Sequence, residues 1–466
     1  MTTYEHAVEW LDANFARLVT EHGVPGASVG VLVGDRVATA AAGVTSLETG
    51  VEVDTRTVFQ IGSITKIWTT TLVMQLVDDG LLDLDVPVVH YLPELVIGDA
   101  AAAEVITTRH LLTHTAGFEG DVFTDTGRGS DAVERYVATL GDLPQLFAPG
   151  ATFSYNNTGF VVLGRLVEVL RGQPFDEALV ERIATPLALE RVSPSPYEAI
   201  RHRAALGHVA SHVAGDGGTM TPAPTWALAR SNAPAGAMLA MTPTDLLGFV
   251  RMHLSGGAGR DGIRVLSAAS VAAMQTREVD LPLLSGMAES WGLGWHLDGS
   301  GEDAVVAHDG GTIGQAAFLR AVPAQGVAVT VLTNGGDFFG LFEDVVARLV
   351  RDLTGVVLPT RPVPPADPEQ VDVTRFLGRY SDTIYDVTVT QDDEGRLWLD
   401  RVPKDIIAEI GEQPVRFPLV HLEDDSFISE EPFHSIHPVF TFLAHPDDPT
   451  APAAYVHYGR VVARAD

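Results

Sequence analysis

Hydrophobic positions recur with a helical period at the start of the chain. Val8, Leu11, Phe15 and Leu18 are three or four residues apart, which predicts a helix over Tyr4 to His22. Val24-Pro25-Gly26 breaks it. The apolar run Ala27 to Val33 then predicts a strand, Gly34-Asp35 a turn, and Arg36 to Ala42 the hairpin partner. Helical spacing returns after Ser63. Ile67, Thr70, Leu72, Val73, Leu76 and Val77 form one stripe, closed by Gly80. Further helices are predicted over Thr108 to Leu112, over Thr158 to Leu170, over Thr242 to Leu254 and over Phe338 to Leu353. Thr242 is the N-cap of the third and Pro243 its first residue. Leu206 to Pro234 is rich in Gly, Pro, Ala and Thr, and is expected to be a long irregular loop. Strands are expected around Gly292 to Leu297, Gly314 to Val322 and Val327 to Thr333. A sheet built from both chain ends, with helices between them, predicts an α/β (α+β) class.

The pattern then changes. Val357 to Pro368 holds five prolines and reads as a stiff linker. Beyond it come short alternating segments: Tyr385 to Gln391, Leu397 to Arg401, Val415 to Leu422, Val439 to Leu443 and Ala454 to Arg460. Three parts are expected: residues 1–356, a linker over 357–370, and a small β domain over 371–466.

Composition narrows the function classes. The chain is 46% hydrophobic and 20% charged, enough apolar material for a sizeable core. It has no cysteine, so disulfides and thiolate metal sites are excluded. The formal charge of −31 repels nucleic acid and anionic membrane surfaces. No apolar run is long enough to span a membrane, and the acidic N-terminus does not read as a leader. The chain is expected to be cytoplasmic, to use no metal or cofactor, and to leave room for a homo-oligomer.

Lysine is the unusual residue. Of 30 Lys and Arg residues only Lys66 and Lys404 are lysine. Arg cannot give up its proton in a protein, whereas a buried Lys can. Lys66 follows Ser63 by three residues, one helical turn, so it can take the serine's proton. Two further elements carry chemistry. Tyr155-Asn156-Asn157 lies in a turn before a helix. A tyrosinate beside a cation can act as a base, and Asn can hold a lysine and a substrate amide. His308-Asp309-Gly310-Gly311 reads as a glycine-bearing strand edge, where a substrate backbone can approach and N–H groups can meet an oxyanion. Each element alone has a plain structural explanation: a cap, a packed ring, a tight turn. His208 with His212, and His434 with His437, are spaced like metal ligands but are expected to be structural. Trp226 and Leu281 to Trp291 fit either a cleft wall or a core.

In the order S-x-x-K, Y-x-N, H-x-G, the three elements resemble the serine β-lactamase-like superfamily, in its class C β-lactamase, DD-peptidase and family VIII esterase branch. The resemblance runs from about Tyr4 to Gly355. It includes Phe59-Gln60-Ile61-Gly62, the stretch His110 to Gly117, Ala233-Pro234-Ala235-Gly236, and Trp291 to Trp295. It implies an antiparallel sheet flanked by helices, with an all-helical subdomain. It implies Ser63 as nucleophile, Lys66 and Tyr155 sharing general-base work, and Tyr155 protonating the leaving group. Asn157 would position Lys66 and substrate. His308, Asp309 and Gly310 would stand where relatives carry a K-T-G triplet, and the N–H groups of Ser63 and Gly311 would form the oxyanion hole. Phe376 to Tyr380 resembles the opening of the lipocalin-like β domains appended to some members, which implies a β-barrel-like C-terminal domain.

Asp309 departs from the family, which has Thr or Ser there. Its charge is expected to repel a substrate carboxylate unless it points away or pairs with Arg. The expected function is therefore a serine hydrolase of neutral or amine-bearing esters, small amides or short peptides. A D-amino-acid-directed peptidase or a weak β-lactamase is the alternative, and a non-catalytic binding protein is the third reading.

Overall fold

The computed structural model describes residues 2–210, 219–409, 412–445, 448 and 451–465. Among them, eight antiparallel strands form one sheet. Strands β1 (Gly26–Val33) and β2 (Arg36–Gly43) make the N-terminal hairpin. The others are β3 (Val279–Asp280), β4 (Ser290–Trp291), β5 (His296–Asp298), β6 (Val305–Thr312), β7 (Gln315–Val322) and β8 (Val327–Thr333). Their order across the sheet is β2-β1-β8-β7-β6-β5-β4-β3. Strand β8 is an unbroken run, VAVTVLT, buried throughout, as a strand covered on both faces must be. It pairs with β1 on one side and β7 on the other, so distant parts of the chain meet at the centre of the sheet.

Each face has its own cover. Helix α1 (Thr3–Glu21) opens with a capping box between Thr2 and Glu5. Its stripe of Ala7, Leu11, Phe15 and Leu18 packs with Val29, Phe318, Val329 and the helical run that starts at Phe338–Leu341 and ends at Arg348–Thr354. The opposite, front face carries the larger core with α2 (Thr65–Asp78), α3 (Asn157–Arg171) and α4 (Pro243–Leu254). Helix α2 is buried on all sides from Thr65 to Met74. Three of its threonines survive there because the hydroxyl finds a carbonyl: Thr69 on Pro234 (2.7 Å), Thr70 on Lys66 (2.8 Å) and Thr71 on Ile67 (2.8 Å). Lys66 thus enters the interior in the first turn of a buried helix.

Three expectations change. Gly292 to Leu297 is not one strand, because the chain turns between β4 and β5. His308 to Gly311 lies inside β6 rather than at a strand's edge, so successive side chains point to opposite faces. Leu206 to Pro234 is only partly irregular: His208–Ala210 and Met220–Pro222 pair as a short hairpin, and Arg230–Ala235 is a 3-10 turn. His212 lies outside the described residues.

Residues 357–370 contain no helix or strand. Beyond them eight strands close into an antiparallel barrel: β9 (Gly378–Ser381), β10 (Tyr385–Gln391), β11 (Leu397–Pro403), β12 (Val415–Glu423), β13 (Ser426–Ser429), β14 (Val439–Leu443), β15 (Tyr455–His457) and β16 (Val461–Arg464). Strand β16 returns to β9, which removes the exposed edges. Phe376, Tyr380, Leu399, Phe417, Phe427 and Phe442 fill the interior. The segment read as one strand to Arg460 instead ends β15 at His457 and turns through Tyr458 to Arg460. Among the described residues no helix is long and apolar enough to cross a membrane.

Candidate active site

Ser63 lies in the 3-10 turn Gly62–Ile64 that feeds α2. This turn presses against β6. A Cβ at Gly62, whose φ is +51°, would fall 2.6 Å from Gly311 N, and one at Gly310 would fall 1.9 Å from the Ile61 carbonyl oxygen. Only glycine lets the two backbones approach this closely. The result sets the amide of Gly311 beside the turn that carries Ser63.

Lys66 is fully buried. Its Nζ lies 3.2 Å from Ser63 Oγ, 2.6 Å from Asn157 Oδ1 and 2.7 Å from the carbonyl oxygen of Ala235. Burial holds its pKa well below the usual lysine value. Arg460 pushes the same way and Asp121 opposes them. A neutral amine has two N–H groups and one lone pair. Two of its three neighbours are carbonyl oxygens that can only accept. In the neutral form they would take the two N–H groups, leaving the lone pair for the hydroxyl of Ser63.

Asn157 starts α3, behind the N-cap Asn156, whose side chain accepts from Gly159 N at 2.7 Å. The amide nitrogen of Asn157 donates to Asp121 Oδ1 at 2.6 Å, which commits its oxygen to Lys66.

Tyr155 stacks on His114 at 4.4 Å, and its ring centre is 4.8 Å from Lys66 Nζ. Among the described residues its buried hydroxyl has no well-formed hydrogen bond, although Ser63 is near enough to act on it. Burial pushes the phenol pKa up, although Ser63 and Arg460 pull it down. The resting group is a phenol, not the tyrosinate that a shared base would need. The geometry thus offers Lys66 as a group able to take the serine's proton and Tyr155 as one able to give a proton.

His308 faces the front of the sheet, in ring contact with Trp291 and His296 and 6.5 Å from the Tyr155 ring centre. Its Nδ1 is 2.6 Å from the carbonyl oxygen of Asp309, so Nδ1 carries the proton and Nε2 is a bare acceptor, buried and unpartnered. Burial first, then His296 and Lys66, lower its pKa well below the usual histidine value. The site therefore presents an imidazole lone pair where a lysine would present charge.

Asp309 is one residue on and points to the back of the sheet. Its carboxylate forms a bidentate pair with Arg320, with Nη2–Oδ2 at 3.1 Å. With Arg320, Glu343 and Arg361 it lines a back-face cavity of about 550 Å³. This pairing with Arg320 is the stated condition under which Asp309 is not expected to repel a substrate carboxylate, although its charge still raises the Tyr155 pKa.

Four participants went unread in the sequence. The carbonyl of Ala235 holds Lys66. His114 supports Tyr155, and its Nδ1 accepts from Asn156 N at 2.9 Å. Asp121 orients Asn157. Arg460, from the turn between β15 and β16, bonds Asp121 and lies 5.0 Å from the Tyr155 ring centre. Ala235 and His114 sit inside segments that were picked out for other reasons, whereas nothing local marks Asp121 or Arg460. Trp291 is core, wedged among Phe153, His114 and His308. His208 is structural: Nδ1 is 2.9 Å from the Asn334 carbonyl oxygen, and Nε2 accepts from Leu47 N. Among the described residues no group of three or more metal-ligating side chains converges.

A family model described as Beta-lactamase matches residues 11–351. Over 381 residues the chain is 44% identical to "Penicillin-binding protein 4" of Amycolatopsis lactamdurans, covering 81% of this chain and 98% of that one. Structures of SurE, alone and with D-Leu, superpose with TM-scores of 0.78 and 0.75 at 32% identity, covering 99% of this chain and 100% of theirs. An octameric penicillin-binding protein homologue from Pyrococcus abyssi shares the fold at 22% identity and a TM-score of 0.64, over 94% of this chain and 97% of that one.

Proposed function

This chain belongs to the Beta-lactamase family of serine hydrolases, and from that premise we propose that Ser63 forms an acyl-enzyme with peptide-like esters and amides whose acyl residue is D-configured. The observation that carries the chemistry is the buried Lys66, 3.2 Å from Ser63 Oγ and held by two carbonyl oxygens, so that its neutral form would have both N–H groups occupied and its lone pair left for Ser63. In this reading Ser63 Oγ attacks the carbonyl carbon as its proton passes to Lys66. The oxyanion is met by the N–H groups of Ser63 and Gly311. When the tetrahedral species collapses, the C–N or C–O bond breaks and Tyr155 protonates the departing nitrogen or oxygen. Lys66, now an ammonium with three donors, faces three acceptors and can return the proton to Tyr155. Water then repeats the sequence on the acyl-enzyme. His308 Nε2 is suited to accept a hydrogen bond from a substrate N–H.

The preference for neutral or amine-bearing substrates rested on Asp309 and on the net charge of −31, and the part that rested on Asp309 is not carried forward because that carboxylate is paired behind β6. The D configuration is supported by likeness to the structure of SurE with D-Leu. Paired D- and L-aminoacyl esters and arylamides, run against wild type and Ser63→Ala, test the reading. The D series is expected to turn over at least about tenfold faster, and only with Ser63 present. Equal or better turnover of the L series removes the stereochemical part. Unchanged turnover in Ser63→Ala removes the acyl-enzyme.

A further inference from the structure

Three residues in a row, Phe153 to Tyr155, are gripped by the C-terminal barrel. His457 Nε2 is 2.8 Å from the Phe153 carbonyl oxygen, Val461 N donates to Ser154 Oγ at 3.0 Å, and Tyr155 N donates to the Gly459 carbonyl at 3.0 Å. The turn between these contacts delivers Arg460. Its Nε donates to Asp121 Oδ2, while Asp121 Oδ1 accepts from Asn157, and Asn157 Oδ1 faces Lys66. Asp121 is 2% exposed at its side chain, so its charge is answered by Arg460 and not by solvent.

We propose that Asp121 and the barrel's Arg460 are positioning residues of the Ser63 site, acting on Lys66 through Asn157, so that the barrel completes the catalytic unit. The proposal rests on the reading of Lys66 as base. An ionised carboxylate is acceptor-only, so it dictates which end of the Asn157 amide turns toward Lys66. An uncompensated carboxylate would also draw a proton onto Lys66, and Arg460 cancels that pull. The two influences on Lys66 are opposite in sign: Asp121 raises its pKa and Arg460 lowers it.

The surrounding groups are accounted for. From the first part of the chain, Tyr155 stays a phenol, and His114 and His308 are held neutral by burial. Glu119 is pushed up to about 7 by burial and then by Asp382 and Asp121, so its own titration falls within the pH range of the test below. From the barrel, Asp382 is raised by burial, while Tyr385 and Tyr458 are raised and stay neutral.

The test is the rate at which a fluorophosphonate labels Ser63, measured against pH in the full chain. Its acidic limb reports loss of the proton from the base. Arg460→Gln is expected to move that limb up by about half a pH unit or more, and Asp121→Asn to move it down, with a lower plateau because the Asn157 amide is no longer fixed. The double variant is expected to return toward the wild-type limb, and Arg460→Lys to recover part of the Arg460→Gln shift. Partial misfolding would lower the plateau without moving the limb. Glu119→Gln shows how much of the limb is that carboxyl, and a wild-type limb that survives it belongs to Lys66. Limbs that stay put, or that move the same way in both single variants, overturn the proposal while labelled wild type leaves the acyl-enzyme standing. Wild type that is never labelled at Ser63 removes both.

Discussion

The two lysines of the chain sit in matched surroundings that differ in two respects. Each has a serine hydroxyl, a backbone carbonyl and one side-chain oxygen around its Nζ. For Lys66 these come from Ser63, Ala235 and the amide of Asn157. For Lys404, on the barrel, they come from Ser381 (2.9 Å), Asp382 and the carboxylate of Asp386 (3.3 Å). Lys66 is fully buried and meets an amide; Lys404 is 29% exposed and meets a carboxylate. The geometry that makes an ion pair at one site is, in the proposed mechanism, that of a base at the other. The change is burial plus the replacement of one carboxylate by one amide.

The hardest way to break this contrast is to deny Lys66 its neutral form. Lys66→Arg keeps a cation in place but cannot release the proton, and guanidinium has no lone pair to offer Ser63. Ester turnover and fluorophosphonate labelling are expected to fall by roughly a thousandfold or more at every pH. Substantial activity in that variant would end the assignment of Lys66 as base.

Asn157→Asp turns the Lys66 site into a buried copy of the Lys404 site. The new carboxylate lies against Lys66 and also faces Asp121, which strengthens the pull on a proton. Lys66 is then expected to be protonated at neutral pH. Labelling at pH 7 should drop by about ten- to a hundredfold and recover as the pH rises. A uniform loss with no recovery would show that Asn157 acts on substrate and not on Lys66.

The legible part of this contrast was the lysine itself. S-x-x-K is one helical turn, and the stripe after Ser63 placed it in α2. The strand β8, the helix α4 with Thr242 and Pro243 at its start, and the change of pattern after the prolines were equally readable, because each is written in local periodicity. What was not readable depends on the strand partner or on closure of the whole fold. Asp309 was given a role in the cleft because β6 was not recognised as a strand, and period-two alternation then sends its side chain to Arg320 behind the sheet. Arg460 reaches Asp121 from 339 positions away in the chain, and no periodicity spans that distance. The neutral state of His308 follows from burial among Trp291, His296 and Tyr155, which the glycine-rich motif does not encode.

Burial also sets a cost around Lys66 that the partly exposed Lys404 site does not share. His253 and His296 are lowered to about 3 by burial, and His457, on the interface with the barrel, to about 4. Unfolded histidines bind protons below about 6.5, whereas these folded ones do not until much lower pH. The unfolded state thus gains protons first, and stability is expected to fall as pH drops from about 6.5 toward 4. Each such histidine contributes up to about 1.4 kcal/mol per pH unit. Denaturant unfolding at pH 7, 6 and 5 measures the slope. A flat profile would mean the folded histidines are protonated, which contradicts their burial.

The smallest effect is expected at Lys404, and its smallness is the sharper half of the comparison. Lys404→Met removes a partly exposed pair with Asp386, whose side chain is itself 46% exposed and can return to water. Such pairs contribute under about 1 kcal/mol, so the melting temperature should shift by only a few degrees. Turnover and the acidic limb of Ser63 labelling should not move. There is one route by which they could. Lys404 holds the carbonyl of Asp382, and the hydroxyl of the next residue, Thr383, donates to the Asp121 carbonyl at 2.9 Å. A displaced limb in Lys404→Met would therefore mean that strain at the barrel rim reaches Asp121. The two lysines would then be coupled parts of one site, joined through Asp121, and not two independent solutions to holding an ammonium.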